Sequence, residues 1–265
     1  MSRAGVHAAG ELAATTIDLI TGFTPQQWAA DCACHGWRVQ DLVGHMGFFF
    51  NFIADPELVL PDNPSGTSER LNDAAVAERA DWAPEQVVEY YKAQSAAGLA
   101  ALDALQSEQM RDQPIEMLDL GTYRLGQLSD AVAFDHLVHL TSDLTAPLGP
   151  ITVDGEFPVK VSIDPAVDWM IAGMSPMCGT ALAPTIDGPI GLRLTGATER
   201  GFVIAAGDDG TLVVNETGDL GDDVIVSDAI DFTRWSTKRT AWRSAVTIEG
   251  DRARVAPFLD ALNII

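Results

Sequence analysis

The sequence predicts two folding units in series, a helical bundle over residues 1–147 and a smaller α+β domain over 151–265. Three observations carry this expectation. Up to about residue 144 the apolar residues step at three and four, the period of a helix with one buried face. After the break Thr145-Ala146-Pro147-Leu148-Gly149-Pro150 the period falls to two in several short runs. Between two of those runs stands Gly207-Asp208-Asp209-Gly210, a good hairpin signal.

Taken in order, residues from about Ala4 to Ile20 are amphipathic and open the bundle. Thr24-Pro25 restarts a short helix. The turn Cys34-His35-Gly36-Trp37 leads into the next, on which Leu42, Phe49 and Phe52 share a seam with His45. From about Ile53 to Asp81 runs a polar connection, with Pro56, Pro61 and Asn63-Pro64-Ser65-Gly66, that holds a helical piece. Pro84 suits the first turn of a long helix to about Leu105. A fourth major helix spans about Leu125 to Leu144, and four helices with one long crossing loop place a site in the bundle core. Downstream, period two marks strands at Ile151–Ile163, Gly191–Thr195, Phe202–Ala206 and Thr211–Asn215. Asp164-Pro165 opens a short helix to about Gly173, and Ser227-Asp228 caps another through about Lys238. A strand Ser244–Ile248 then precedes a closing helix from Asp251 to Leu262.

With 265 residues, 47% of them hydrophobic, the chain can bury a sizeable core. A formal charge of −22 argues against a nucleic-acid backbone or an anionic membrane as partner. Lysine occurs only at Lys92, Lys160 and Lys238, so the basic groups are mostly arginines, which suit carboxylate recognition. His7, Glu11 and Thr15 interrupt any apolar signal core after Met1-Ser2-Arg3, and no run approaches the ~18 apolar residues of a membrane span. Three cysteines make no disulfide framework in a chain this long. The expectation is a cytoplasmic protein.

The chemistry concentrates in Asp135-His136-Leu137-Val138-His139 and in His45, three of the five histidines falling on two apolar seams. Leu125, Leu128 and Val132 step toward Asp135 and His139, which stand four apart on one helix face. Buried imidazoles and a carboxylate are costly unless paired, and one metal ion would pair all three. Three protein ligands leave zinc or a similar divalent ion an open position, as in catalytic sites. His136 lies about 100° round the helix from Asp135, so a His136/His139 pair is also geometrically possible. Cys32-Ala33-Cys34-His35 looks like a fragment of a metal knuckle but has no second cysteine pair to complete it, and Cys34 reads as a packed small residue.

The segment Cys34-His35-Gly36-Trp37-Arg38-Val39-Gln40-Asp41-Leu42-Val43-Gly44-His45 resembles the C-x-G-W-x-V-x-D-L-x-x-H stretch of the mycothiol-dependent maleylpyruvate isomerase family, within the DinB-like helical-bundle superfamily. Asp135-x-x-x-His139, followed by Asp143-Leu144, is similar to that family's carboxylate-x3-His helix. Ser227-Asp228, Trp235, Arg239, Trp242, Val246-Thr247-Ile248-Glu249-Gly250-Asp251 and Leu259-Asp260-Ala261-Leu262-Asn263 resemble its small sterol-carrier-like second domain. The resemblance implies a divalent metal held by His45, Asp135 and His139. The family has Glu where Asp135 stands, so the helices approach more closely, His136 substitutes, or the site is altered. It also implies an arginine from the second domain at the active site, Arg239 by best match and Arg234 second.

Mycothiol is the thiol cofactor so implied, bound as the thiolate at the open metal position. The expected chemistry is isomerisation of a cis dicarboxylate, or S-transfer to a small electrophile, with arginine holding substrate carboxylates. A different class of reading is a non-catalytic small-ligand binding or regulatory protein of the same fold.

Overall fold

A computed structural model describes residues 3–264; Met1, Ser2 and Ile265, which the expected domain limits include, lie outside it. The chain opens with α1 (Arg3–Thr21), whose buried residues Ala8, Ala9, Leu12, Ala13, Thr16 and Ile20 follow helical spacing. The short α2 (Pro25–Trp28) is closed by a reciprocal cap: the Gln27 backbone N–H donates to Thr24 Oγ1 at 3.3 Å, and the Thr24 N–H donates to Gln27 Oε1 at 2.9 Å. In α3 (Val39–Ala54) the first turn is held by the Arg38 N–H, which donates to Asp41 Oδ2 at 2.9 Å. The expected helical piece in the polar connection is α4 (Ser68–Ala77), and α5 (Pro84–Leu105) starts at its proline.

A small antiparallel hairpin, β1 (Pro114–Glu116) with β2 (Thr122–Arg124), precedes the fourth long helical segment. Strands of three residues are too short to show a period, so the sequence does not announce them. The segment itself is not one uniform α-helix. A 3-10 turn at Leu125–Gln127 feeds α6 (Leu128–Val138), which passes into a π-helical turn at His139–Leu144. Within this unit α3 packs on α5, and α1 packs on both α6 and α5.

The α3–α5 approach is close because glycines stand at the crossing. A Cβ added at Gly98 would meet Phe50 Cδ1 at 2.5 Å, and one added at Gly47 would meet Tyr90 at 3.0 Å. Residues Val39 to Phe48 are all buried, whereas Phe49 and Phe52, expected on the core seam, are half-buried and Met46 and Phe50 fill the core instead. A helix enclosed on several sides loses the single apolar stripe from which a seam is read.

Two further expectations are corrected between residues 145 and 182. Ile151–Ile163 is not a strand. Only Ile151 pairs, in a bridge with Thr145, its N–H donating to Leu144 O at 3.2 Å while the Ala146 N–H donates to Ile151 O at 2.8 Å. Nor is the next helix short: α7 runs Val159–Leu182, with Pro165 well inside it rather than at its first turn. Ile163, Ala166, Val167, Met170 and Met174 are buried at steps of three and four, a pattern that continues through the proline. The chain divides into two units at Ala166/Val167, inside α7 and downstream of the Thr145–Pro150 break.

The second unit carries a five-stranded sheet of β3 (Ile190–Thr195), β4 (Arg200–Ala206), β5 (Leu212–Glu216), β6 (Val224–Asp228) and β7 (Val246–Glu249) in the order β5-β4-β3-β6-β7. The β3–β6 pair is parallel and the other pairs antiparallel, with Gly207–Gly210 turning β4 into β5. Asp228 caps α8 (Ala229–Trp235), accepting from the Ile230 N–H at 2.8 Å, and α8 packs on β3 and β6. The expected strand start at Ser244 is instead part of the helical turn α9 (Trp242–Ala245), and α10 (Arg252–Ala261) closes the unit against β7. Among the described residues no helix is long and apolar enough to cross a membrane.

Candidate metal centre

Three elements of the first unit converge on one carboxylate. From α3 comes His45, from α6 Asp135, and from the first position of the π turn His139. His45 Nε2 lies 3.2 Å from Asp135 Oδ1, and His139 Nε2 lies 3.3 Å from the same oxygen. The two imidazoles stand nearly perpendicular at 87°, with ring centroids 5.2 Å apart. All three ligand atoms fall within 4.8 Å of one another, and the 3.2 and 3.3 Å separations from Asp135 Oδ1 suit neighbouring ligands about one ion at ~2.0–2.2 Å from each. Side-chain exposures of 7% for His45, 13% for Asp135 and 11% for His139 leave the point between them enclosed yet not sealed.

The donor set fits a divalent cation. Two imidazole nitrogens and one carboxylate oxygen are the ligands zinc takes in sites with an open position. Among the described residues His45 Nδ1 is buried without a hydrogen-bond partner, so the protein alone leaves a polar atom of this cluster unsatisfied. Asp135, despite its short side chain, reaches both imidazoles with a single oxygen.

Charge in the cluster is tightly linked. Burial opposes ionisation of Asp135, yet the neighbouring His139 charge and the imidazole N–H groups hold its carboxyl well below the usual range. Burial likewise opposes protonation of His139, but Asp135 and Asp143 outweigh it and raise its pKa to about 9. His45 moves the other way, its pKa lowered chiefly by burial.

Asp143 is a residue that sequence reasoning quoted without giving it a role. Its Oδ2 lies 2.8 Å from His139 Nδ1, and both groups are buried. A carboxylate there holds the proton on Nδ1 and turns the Nε2 lone pair toward His45 and Asp135. The available signal was the i, i+4 spacing to His139, which the π turn preserves as a side-chain contact. Within that turn Thr141 Oγ1 donates to Leu137 O at 2.7 Å and Thr145 Oγ1 to Leu140 O at 2.6 Å, which satisfies main-chain oxygens in a buried stretch.

His136 stands on the other side of the carboxylate. Its Nδ1 is 3.2 Å from Asp135 Oδ2 and 3.2 Å from Val132 O, and its ring packs on Phe50 and Tyr91 at 4.8 and 5.9 Å. It belongs neither to the His45, Asp135, His139 group nor to a second set of converging ligand atoms on Cys34, His139 and Asp143. Trp37, from the turn before α3, lays its ring 5.2 Å from that of His45. The same turn sets Cys34 Sγ 4.0 Å from His139 Nδ1, a proximity between residues 105 apart that no local pattern could reveal. The two expected arginines lie in the second unit. Arg234, on α8, pairs with Asp231 at 3.4 Å, and the Arg239 N–H donates to Arg234 O at 2.9 Å.

The model of the mycothiol maleylpyruvate isomerase N-terminal domain family matches residues 9–141, just over half of the chain. Two solved structures share the fold across 92% of this chain and 91% of theirs, each with a TM-score of 0.57. One is the crystal structure of a mycothiol-dependent maleylpyruvate isomerase at 13% identity, the other that of a histidine-to-alanine mutant of such an isomerase at 12%. At that identity the likeness speaks to fold. Comparison with curated proteins finds no match.

Proposed function

The chain belongs to the mycothiol maleylpyruvate isomerase N-terminal domain family, and on that footing we propose that it is a thiol-dependent isomerase of a small carboxylated substrate. The observation that carries this reading is the convergence of His45 Nε2 and His139 Nε2 on Asp135 Oδ1, at 3.2 and 3.3 Å, in an enclosed core. His45, Asp135 and His139 would hold a divalent cation, most simply zinc, whose Lewis-acid charge would favour the thiolate form of a thiol bound beside them near neutral pH.

The chain's own residues account for the rest. Asp143 fixes the tautomer of His139, and Trp37 walls the His45 side of the site. His136 holds the rear of Asp135 and leaves Oδ1 to face the two imidazoles. Arg239, with Arg234 as second choice, would hold the substrate carboxylate by charge-assisted hydrogen bonds and orient it toward the thiol. The mycothiol of the family name fits a site with no ligating thiolate of its own in the His45, Asp135, His139 group. Family likeness favours isomerisation over S-transfer. The DinB-like bundle and the sterol-carrier-like second domain are part of the same proposal, as are domain limits of 1–147 and 151–265 and a cytoplasmic location.

The test is metal analysis of the purified protein with calorimetric titration of mycothiol, followed by assay of maleylpyruvate isomerisation. The expected result is about one divalent ion per chain, as for a single three-ligand site. Metal should be lost in His45→Ala and His139→Ala but largely kept in His136→Ala, and mycothiol should bind only the metal-loaded protein. Full occupancy in His45→Ala would overturn the ligand set. Metal without thiol binding would transfer the site to the non-catalytic small-ligand reading.

A further inference from the structure

Among the described residues neither Cys32 nor Cys34 is in a disulfide, and both are half-buried, whereas Cys178 is buried with its Sγ donating to Asn263 O at 2.8 Å. The loop that carries them is fixed at several points. The Cys32 N–H donates to Trp37 O at 3.0 Å, the Trp37 N–H to Cys34 O at 3.1 Å, and the Ala33 N–H to Asp143 O at 2.9 Å. The last of these ties the loop to the residue that orients His139. Cys32 Sγ reaches Cys34 O at 3.8 Å, and Cys34 Sγ lies 4.0 Å from His139 Nδ1. Two residues apart, the Cα atoms cannot separate beyond ~7 Å, the upper edge of what a disulfide spans, and the chain bends between them.

From this juxtaposition we infer that Cys32 and Cys34 form a dithiol site that exchanges with the disulfide form of the small thiol taken by the neighbouring metal centre. The inference rests on the proposed function for the identity of that thiol. Cys34 Sγ is the sulfur set against the buried His139, which leaves Cys32 to attack and Cys34 to resolve, and a hydrogen bond from the Cys34 thiol favours the Cys32 thiolate. Its thiolate displaces one thiolate from R–S–S–R: the Cys32–S–SR bond forms, the R–S–S–R bond breaks, and the departing thiolate takes the proton Cys32 gave up. Cys34 then attacks the Cys32 sulfur, closes the Cys32–Cys34 disulfide and releases the second R–S–, which takes the proton of Cys34. Two thiols leave as two cysteines are oxidised, so the electrons balance. The products are the reduced thiol, delivered beside the centre that uses it.

The experiment treats the reduced full-length protein with the symmetrical disulfide of mycothiol and reads intact mass and peptide maps. Wild type should lose the mass of two hydrogens and yield a Cys32–Cys34 crosslink. Cys34→Ser should stop at an adduct of one mycothiol on Cys32, and Cys32→Ser should lose the crosslink and that adduct. Calorimetry with reduced mycothiol on the same metal-loaded preparation reports separately on the proposed function. If reduced mycothiol binds while wild-type Cys32 and Cys34 stay reduced, or if the adduct forms on Cys178, the exchange site is overturned and the metal–thiol reading stands. If the crosslink forms while reduced mycothiol fails to bind, the exchange site stands and the metal–thiol reading falls.

Discussion

At the scale of single residues, the centre is built from paired demands. Each imidazole offers one nitrogen to the cluster, and what happens at its other nitrogen decides how well that offer is held. His139 has Asp143 at 2.8 Å; among the described residues His45 Nδ1 has no partner. Loss of the Asp143 carboxylate should therefore loosen the better-held ligand. Asp143→Ala is expected to weaken metal affinity by about 10–100-fold, with Asp143→Asn closer to wild type because its amide oxygen still accepts. Equal affinity of Asp143→Ala and wild type in competition with a chromogenic chelator would refute the orienting role. The raised pKa of His139, about 9, sets a pH dependence with a definite sign. Below that pH the metal-free imidazole carries a proton on Nε2, which an incoming cation must displace. Metal affinity should fall about tenfold for each pH unit below that point, and binding at neutral pH should release a proton. Titrations in buffers of different ionisation enthalpy measure this directly.

At the scale of elements, the centre depends on how closely α3 and α5 can lie, since α3 presents His45. Gly98 makes that approach possible by leaving room for Phe50. Gly98→Ala would put a methyl group 2.5 Å from Phe50 Cδ1, and the expected destabilisation is about 1–3 kcal/mol, because the crowded pair is buried and the helices must separate. Urea unfolding checks the value, and metal affinity should drop with it as His45 shifts. An unchanged midpoint would mean that Phe50 swings aside without moving α3. The change from α6 to a π turn at His139 is the second element-level device. It keeps Asp143 on His139 while the hydroxyls of Thr141 and Thr145 meet main-chain oxygens that a buried turn would leave bare.

At the scale of the whole molecule, a cation that binds the native state and not the unfolded chain stabilises the fold by mass action. At a free concentration about a hundred times Kd the gain is ~2.7 kcal/mol. A chelator should therefore lower the melting temperature, and readdition of zinc should restore it. A transition that chelation leaves unmoved would place the bound metal outside the core. The charge of −22 acts at this scale too, keeping anionic polymers away and favouring cations near the surface.

Much of this was legible in the sequence, because helix and strand announce themselves by period. The two helices beginning at Ala4 and Pro84, the Thr24-Pro25 restart, the Gly207–Gly210 hairpin and the Asp228 cap needed only local rules; the sequence also singled out His45, Asp135 and His139, whose side chains meet in the fold although the seam expected to carry His45 is not the buried one. Where local rules compete, the sequence misleads: Pro165 suggested a helix start, but buried apolar contacts on both sides of it carry α7 through. Other features belong to tertiary structure alone. Which nitrogen faces which oxygen, the placing of His136 behind Asp135 and the approach of Cys34 to His139 depend on how distant segments pack. The physical reason is range: a period reports which face of an element is buried, whereas the partner met on that face, and the atom that meets it, are decided only when the elements pack together.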